Sequence, residues 1–127
     1  MKTVLVVEDD DSIRDVISQV LCDAEYHAVA VSTLSKAIEA LEATIPDAIV
    51  LDLMLSDGDG RDLIEACRRD RRLAHLPVIV LTARPFVEEI EGTVLLPKPF
   101  DLDELISAVR RVAEASGRRL MDCQTRP

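Results

Sequence analysis

Ala48-Ile49-Val50-Leu51-Asp52-Leu53-Met54-Leu55 is the stretch on which the fold turns. Aliphatic residues run up to a carboxylate and stop. A strand that is apolar at every position is buried on both faces, which marks a parallel sheet sandwiched between helices. Four similar runs lie on either side: Thr3–Val7, His27–Val31, Val78–Leu81 and Thr93–Leu96. Between them, apolar residues recur at helical spacing. Ile13, Val16, Ile17, Val20 and Leu21 form one stripe, and Leu34, Ala37, Ile38 and Leu41 a second. Leu63, Ile64 and Cys67 give a shorter one, and Leu102, Leu105, Ile106, Val109 and Val112 the last. One-sided helices of this kind pack on a sheet. Strand and helix alternate throughout, which predicts an open α/β fold with right-handed crossovers.

The boundaries follow from local chemistry. Pro46 and Pro77 stand just before strands and end the segments that precede them. Asp101 and Glu104 resemble a capping box for the last helix. Ten residues, Ala83–Gly92, separate the fourth strand from the fifth, so the helix between them is a turn or two, or irregular. Pro85 and Gly92 trim it from both ends. Past residue 115 the apolar period is lost, and 116–127 is expected to be a frayed tail or the start of a linker. The expected division is therefore a domain over 1–115 and a tail over 116–127.

Composition narrows the function. The 127 residues make one domain, large enough to fold without staples. Net charge is −9, from 24 acids against 15 bases. Such a surface disfavours direct nucleic-acid binding and an anionic membrane. No apolar run approaches the roughly 18 residues of a spanning helix. Met1-Lys2-Thr3-Val4 leads straight into a strand with no signal-peptide pattern, so a cytoplasmic setting is expected. Cys22, Cys67 and Cys123 match no metal or redox motif. Cys22 and Cys67 fall on apolar faces and read as small core residues.

The polar residues then fall in a pattern. Glu8, Asp9, Asp10 and Asp11 follow the first strand, Asp52 the third, Thr82 the fourth and Lys98 the fifth. All lie at carboxyl ends of parallel strands, where open α/β sheets place their ligand sites. Glu8, Asp9 and Asp52 crowded together repel one another, and a divalent cation relieves that. All-oxygen ligands favour Mg²⁺, Mn²⁺ or Ca²⁺ over zinc. A carboxylate beside Mg²⁺ can attack a phosphoryl group, with Lys98 as a second cation and the Thr82 hydroxyl as a hydrogen-bond donor. The bland reading of Asp10 or Asp11 is a helix cap.

These residues resemble the receiver domain of bacterial two-component response regulators. The similar stretches are Val4-Leu5-Val6-Val7-Glu8-Asp9-Asp10, Ile49–Leu55, Asp59-Gly60, Val80-Leu81-Thr82-Ala83 and Lys98-Pro99-Phe100. The resemblance implies a flavodoxin-like, doubly wound, five-stranded parallel sheet of order 2-1-3-4-5. It implies Asp52 as phosphoacceptor, taking phosphate from a sensor histidine kinase or a histidine phosphotransfer protein. Asp9, Asp52 and the Met54 carbonyl would bind Mg²⁺ (or Mn²⁺), with Glu8 acting mostly through water. Thr82 would bond the phosphoryl oxygen, Lys98 would pair with it, and Lys98-Pro99 would be cis. The expected partners are that phosphodonor and a downstream protein or output domain. The expected state is a monomer or weak homodimer with no output domain of its own. Its only catalysis would be its own phosphorylation and dephosphorylation. Ser56 stands where the family usually has proline, and Leu95 where it usually has an aromatic residue or histidine.

Other readings are weaker. A dehalogenase-like phosphatase needs an acid two residues after the nucleophile, and that position is Met54. A calcium loop aligned on Gly60 would put Leu55 and Ala66 at its ligand positions. A pseudo-receiver, docking without phosphorylation, is the alternative kept. Arg68, Arg69, Arg71 and Arg72 read as solvated cations at a helix end. Arg84 would lie beside the site, and Phe86 would cap the core. Phe100 would pack under the last helix.

Overall fold

The computed structural model describes residues 1–83, 90 and 92–125, with side chains as far as Glu114. The elements are β1 (Thr3–Val7), α1 (Asp11–Asp23), β2 (His27–Val31), α2 (Leu34–Ala43) and β3 (Ala48–Asp52). A two-stranded hairpin follows, β4 (Met54–Leu55) and β5 (Gly58–Asp59), and then α3 (Gly60–Arg69). β6 (Val78–Thr82), β7 (Thr93–Pro97) and α4 (Leu102–Thr125) complete the chain. The main sheet has the order β2-β1-β3-β6-β7 and is parallel throughout. With the hairpin set aside this is the expected order 2-1-3-4-5, a flavodoxin-like doubly wound sheet.

Alternation along the strands divides the core into two layers. Val4 and Val6, Ala48 and Val50, and Ile79 and Leu81 point to the face covered by α1 and α4. Leu5 and Val7, Ile49 and Leu51, and Val78 and Val80 point to the face covered by α2 and α3. Each of β1, β3 and β6 is thus buried on both sides, as a continuous apolar run requires. The outer strands β2 and β7 are only partly covered. Leu95, on β7, is 39% exposed.

Two expectations are corrected. Cys22 is exposed, and of the two cysteines read as core residues only Cys67 is buried. On α1 the buried line runs through Ile17 and Leu21, and Cys22 sits about 100° further round. Val16 and Ile38, at the margins of their stripes, are each 46% exposed. The helix α4 is continuous to Thr125. The connection expected to hold a short fourth helix, with Arg84, Pro85 and Phe86, lies outside the described residues. Among the described residues, no helix is long and apolar enough to cross a membrane.

Candidate functional site

Strand register brings the site together. Val7 is level with Leu51, so the residues that follow them, Glu8 and Asp52, sit side by side. Asp52 is level with Leu81, one step before Thr82, and Thr82 is level with Pro97, one step before Lys98. The residues picked out from the sequence therefore share one sheet edge. Glu8 is fully buried, Asp52 is 7% exposed and Thr82 2%. Asp9 is exposed at the mouth. Glu8, Asp9 and Asp52 each offer a carboxylate oxygen within 4.8 Å of the others.

Lys98 joins the two buried acids. Its Nζ donates to Glu8 Oε1 at 2.8 Å and to Asp52 Oδ2 at 3.1 Å. The Met54 amide donates to Asp52 Oδ1 at 3.0 Å. The backbone N–H of Lys98 donates to the Thr82 carbonyl at 2.7 Å, and Lys98-Pro99 is cis. Phe100 packs against the α1/α4 core layer.

Electrostatics separate the two carboxyls. Burial first, and then the neighbouring Asp52 carboxylate, raise the pKa of Glu8 to about 7 against the pull of Lys98. Burial also pushes Asp52 upward, but the Glu8 carboxyl, the Met54 amide and Lys98 outweigh it and hold Asp52 below its ordinary value. Lys98 loses affinity for its proton through burial, yet its two acidic partners carry its pKa above the usual one. The site thus favours a charged Asp52, charged Lys98 and a Glu8 that is costly to ionise.

One atom shows what the site lacks within the protein. Glu8 Oε2 is buried and has no hydrogen-bond partner among the described residues. A buried carboxylate oxygen is rarely left unsatisfied without a functional reason. Three hard oxygen donors with no thiol or imidazole suit Mg²⁺ or Mn²⁺. The residues present fit such an ion.

The surrounding elements hold these groups in place. Asp10 Oδ1 accepts from the Ile13 amide at 3.0 Å and caps α1, so the acidic run divides between cap and crevice. Asp59 caps α3. Gly60 closes the loop by donating its amide to the Leu53 carbonyl at 2.8 Å. A Cβ on Gly60 would stand 2.8 Å from the Asp52 carbonyl oxygen, so glycine lets α3 start against the strand end that carries Asp52.

Two contributors escaped the sequence reading. Arg14 donates through Nη1 to the Glu8 carbonyl at 3.0 Å and pairs through Nη2 with Asp11. Its three-residue spacing from Asp11 was the available signal. Asp57 accepts from the amides of Leu34 at 2.9 Å and Ser35 at 3.2 Å, tying the loop after Asp52 to the N-terminus of α2. A contact across 23 residues leaves no local pattern. Of the basic run, Arg68 and Arg69 close α3, and Arg72, past its end, pairs with the C-cap residue Asp70.

Comparison with known proteins agrees with this geometry. The response regulator receiver domain family matches residues 4–110. The DNA-binding dual master transcriptional regulator RpaA of Synechocystis is 35% identical over 125 residues, covering 93% of this chain and 52% of its own length. The chain spans about half the length of the curated relatives it matches. Among solved structures, chemotaxis response regulator CheY4 of Vibrio cholerae has a TM-score of 0.82 at 27% identity, covering 88% of this chain and 98% of that one. The receiver domain of sensor histidine kinase PA1611 from Pseudomonas aeruginosa, with a magnesium ion in its active-site cleft, has a TM-score of 0.80 at 26% identity, covering 89% of this chain and 98% of its own. The chain belongs to the response regulator receiver domain family.

Proposed function

We propose that this domain takes a phosphoryl group onto Asp52 from a phosphohistidine, and that the charge so gained alters its binding to a downstream protein or output domain. The observation that carries the reading is the buried pair Asp52 and Glu8 bridged by the half-buried Lys98, with Glu8 Oε2 left without a partner among the described residues. The donor would be a sensor histidine kinase or a histidine phosphotransfer protein.

Asp52 is held ionised and oriented by the Met54 amide and by Lys98. A carboxylate oxygen forms a bond to phosphorus as the P–N bond breaks, and the electron pair leaves on the imidazole nitrogen. Phosphoryl transfer depends mostly on positioning and charge, and the strand ends supply both. Lys98 is placed to turn from the carboxylates to the phosphoryl oxygens, and the Thr82 hydroxyl to donate a hydrogen bond to one of them. Glu8, Asp9, Asp52 and the Met54 carbonyl would hold Mg²⁺ (or Mn²⁺), which would supply charge neutralisation at the phosphoryl oxygens. Beside Lys98 lies an apolar groove of about 560 Å³ lined by Ile13, Val16, Ile17, Ala83, Pro99 and Phe100, which gives a donor domain a surface to rest on.

Catalysis is confined to the domain's own phosphorylation and its reversal by water. The net charge of −9 supports a reading in which any DNA contact is made outside this domain. A cytoplasmic monomer or weak homodimer fits that role. Intact mass after incubation with Mg²⁺ and phosphoramidate tests the reading. One phosphoryl group should be gained, blocked by EDTA and absent in Asp52→Asn. Labelling of Asp52→Asn elsewhere would overturn the acceptor, and no gain in folded protein with several donors would favour a docking module without phosphorylation.

A further inference from the structure

We infer that Arg14 is a positioning residue for the metal-binding end of the site, fixing the Glu8–Asp9 peptide so that both carboxylates face one cation. This rests on the reading of Glu8, Asp9 and Asp52 as metal ligands.

Glu8 and Asp9 lie on the three-residue connection between β1 and α1. The Glu8 amide is held on one side, donating to the Val31 carbonyl at 3.1 Å. Its carbonyl is held on the other by Arg14 Nη1 at 3.0 Å. That carbonyl belongs to the peptide linking Glu8 to Asp9, so the guanidinium sets the direction in which Asp9 leaves the strand. Asp10 is fixed in turn as the cap of α1. Asp9 therefore stands between an anchored peptide and the anchored side chain of the helix cap, although it is itself exposed.

The guanidinium suits this task. The Arg14 side chain is 19% exposed, and its other nitrogen is engaged by Asp11, which is 85% exposed. A planar fork with one arm on a carbonyl and one on a carboxylate has a defined orientation that an ammonium lacks. Neither bond uses a carboxylate of the proposed metal set. Groups behind metal ligands commonly matter to affinity through such orientation.

Charge and position predict opposite signs, which makes the inference decidable. A cation near the site repels a divalent ion, so removing the charge alone should tighten Mg²⁺ binding. Loss of positioning should weaken it. Mg²⁺ titration of Arg14→Met and Arg14→Lys, followed by amide NMR at Asp9, Asp52 and Met54, measures the affinity in folded protein. The dissociation constant should rise about tenfold in Arg14→Met. Arg14→Lys, with the charge kept and the fork lost, should also bind more weakly than wild type. Phosphorylation by phosphoramidate should recover toward the wild-type rate at saturating Mg²⁺, since Asp52 and Lys98 are untouched.

Unchanged or tighter Mg²⁺ binding in Arg14→Met, with a lowered Tm, would overturn the inference and leave Arg14 as a partner for a buried carbonyl. If Arg14→Met fails to fold, wild-type affinity in Arg14→Lys would overturn it equally. Wild-type protein that binds no Mg²⁺ would overturn the metal reading itself and this inference with it. Wild-type binding with unaffected variants would overturn the inference alone.

Discussion

The bodies and the tips of the central strands follow opposite rules. Along β1 and β3 the body is aliphatic and closed: Val4–Val7 and Ala48–Leu51 are at most 2% exposed. One residue further, the same buried environment holds Glu8 and Asp52. The body gains stability from burial, whereas at the tip of β1 burial of Glu8 costs stability, because a carboxyl taken out of water resists ionisation. The strands are thus stable where they do no chemistry and strained electrostatically where they are proposed to do it. This is the pattern in which stability is given up locally for activity.

Variants in the two regions should move stability in opposite directions. Leu51→Ala, in the body, removes a fully buried side chain between α2 and α3 and should cost about 2–5 kcal/mol in denaturant unfolding. A loss well under 1 kcal/mol would mean that the body is less tightly packed than it looks. Glu8→Gln, at the tip, should instead stabilise the metal-free protein at pH 8, by on the order of 1–3 kcal/mol. Destabilisation there would show that the ion pair with Lys98 outweighs the cost of burying Glu8.

The pH dependence sharpens the contrast. Unfolded Glu8 ionises near 4.5, while the folded chain keeps the proton up to about 7. Between these values the folded state binds more protons, so its stability should fall as pH rises. Metal-free Tm should decline from pH 4.5 to 7, flatten in Glu8→Gln, and be restored at pH 7.5 by Mg²⁺. Asp52 works in the other direction and at lower pH. Its lowered pKa contributes stability above its ordinary 3.8, which is lost as pH falls through the lower folded value. A flat metal-free Tm between pH 4.5 and 7 would refute the strained tip.

Asp57→Ala should have the smallest effect. The exposed carboxylate links the hairpin to the start of α2. A slight drop in Tm, with amide shifts at Leu34 and Ser35 on NMR, is expected. Shifts confined to the hairpin would show that the link does not reach α2.

Much of this contrast was legible in the sequence. An apolar run that ends in an acid, a threonine or a lysine gives both the strand and its chemical tip, because parallel strands present their ends on one edge. What escaped notice was side chain to backbone. Arg14 binds a carbonyl six residues away and Asp57 caps a helix it does not belong to. No pairing of residue types announces a bond to a peptide group. Cys22 was misplaced because a helical stripe has soft margins, where one residue of rotation separates core from solvent.

The bonds of Lys98 have a consequence for the history of each molecule. They close spans of 90 residues to Glu8 and 46 to Asp52. Closures of that length come late, after nearer strands have paired. A chain with its last strand undocked would carry every acidic residue of the site yet lack the cation that joins them. If Asp52 takes phosphate as proposed, uptake would count completed molecules, and a nascent or partly unfolded chain would stay silent to a phosphodonor.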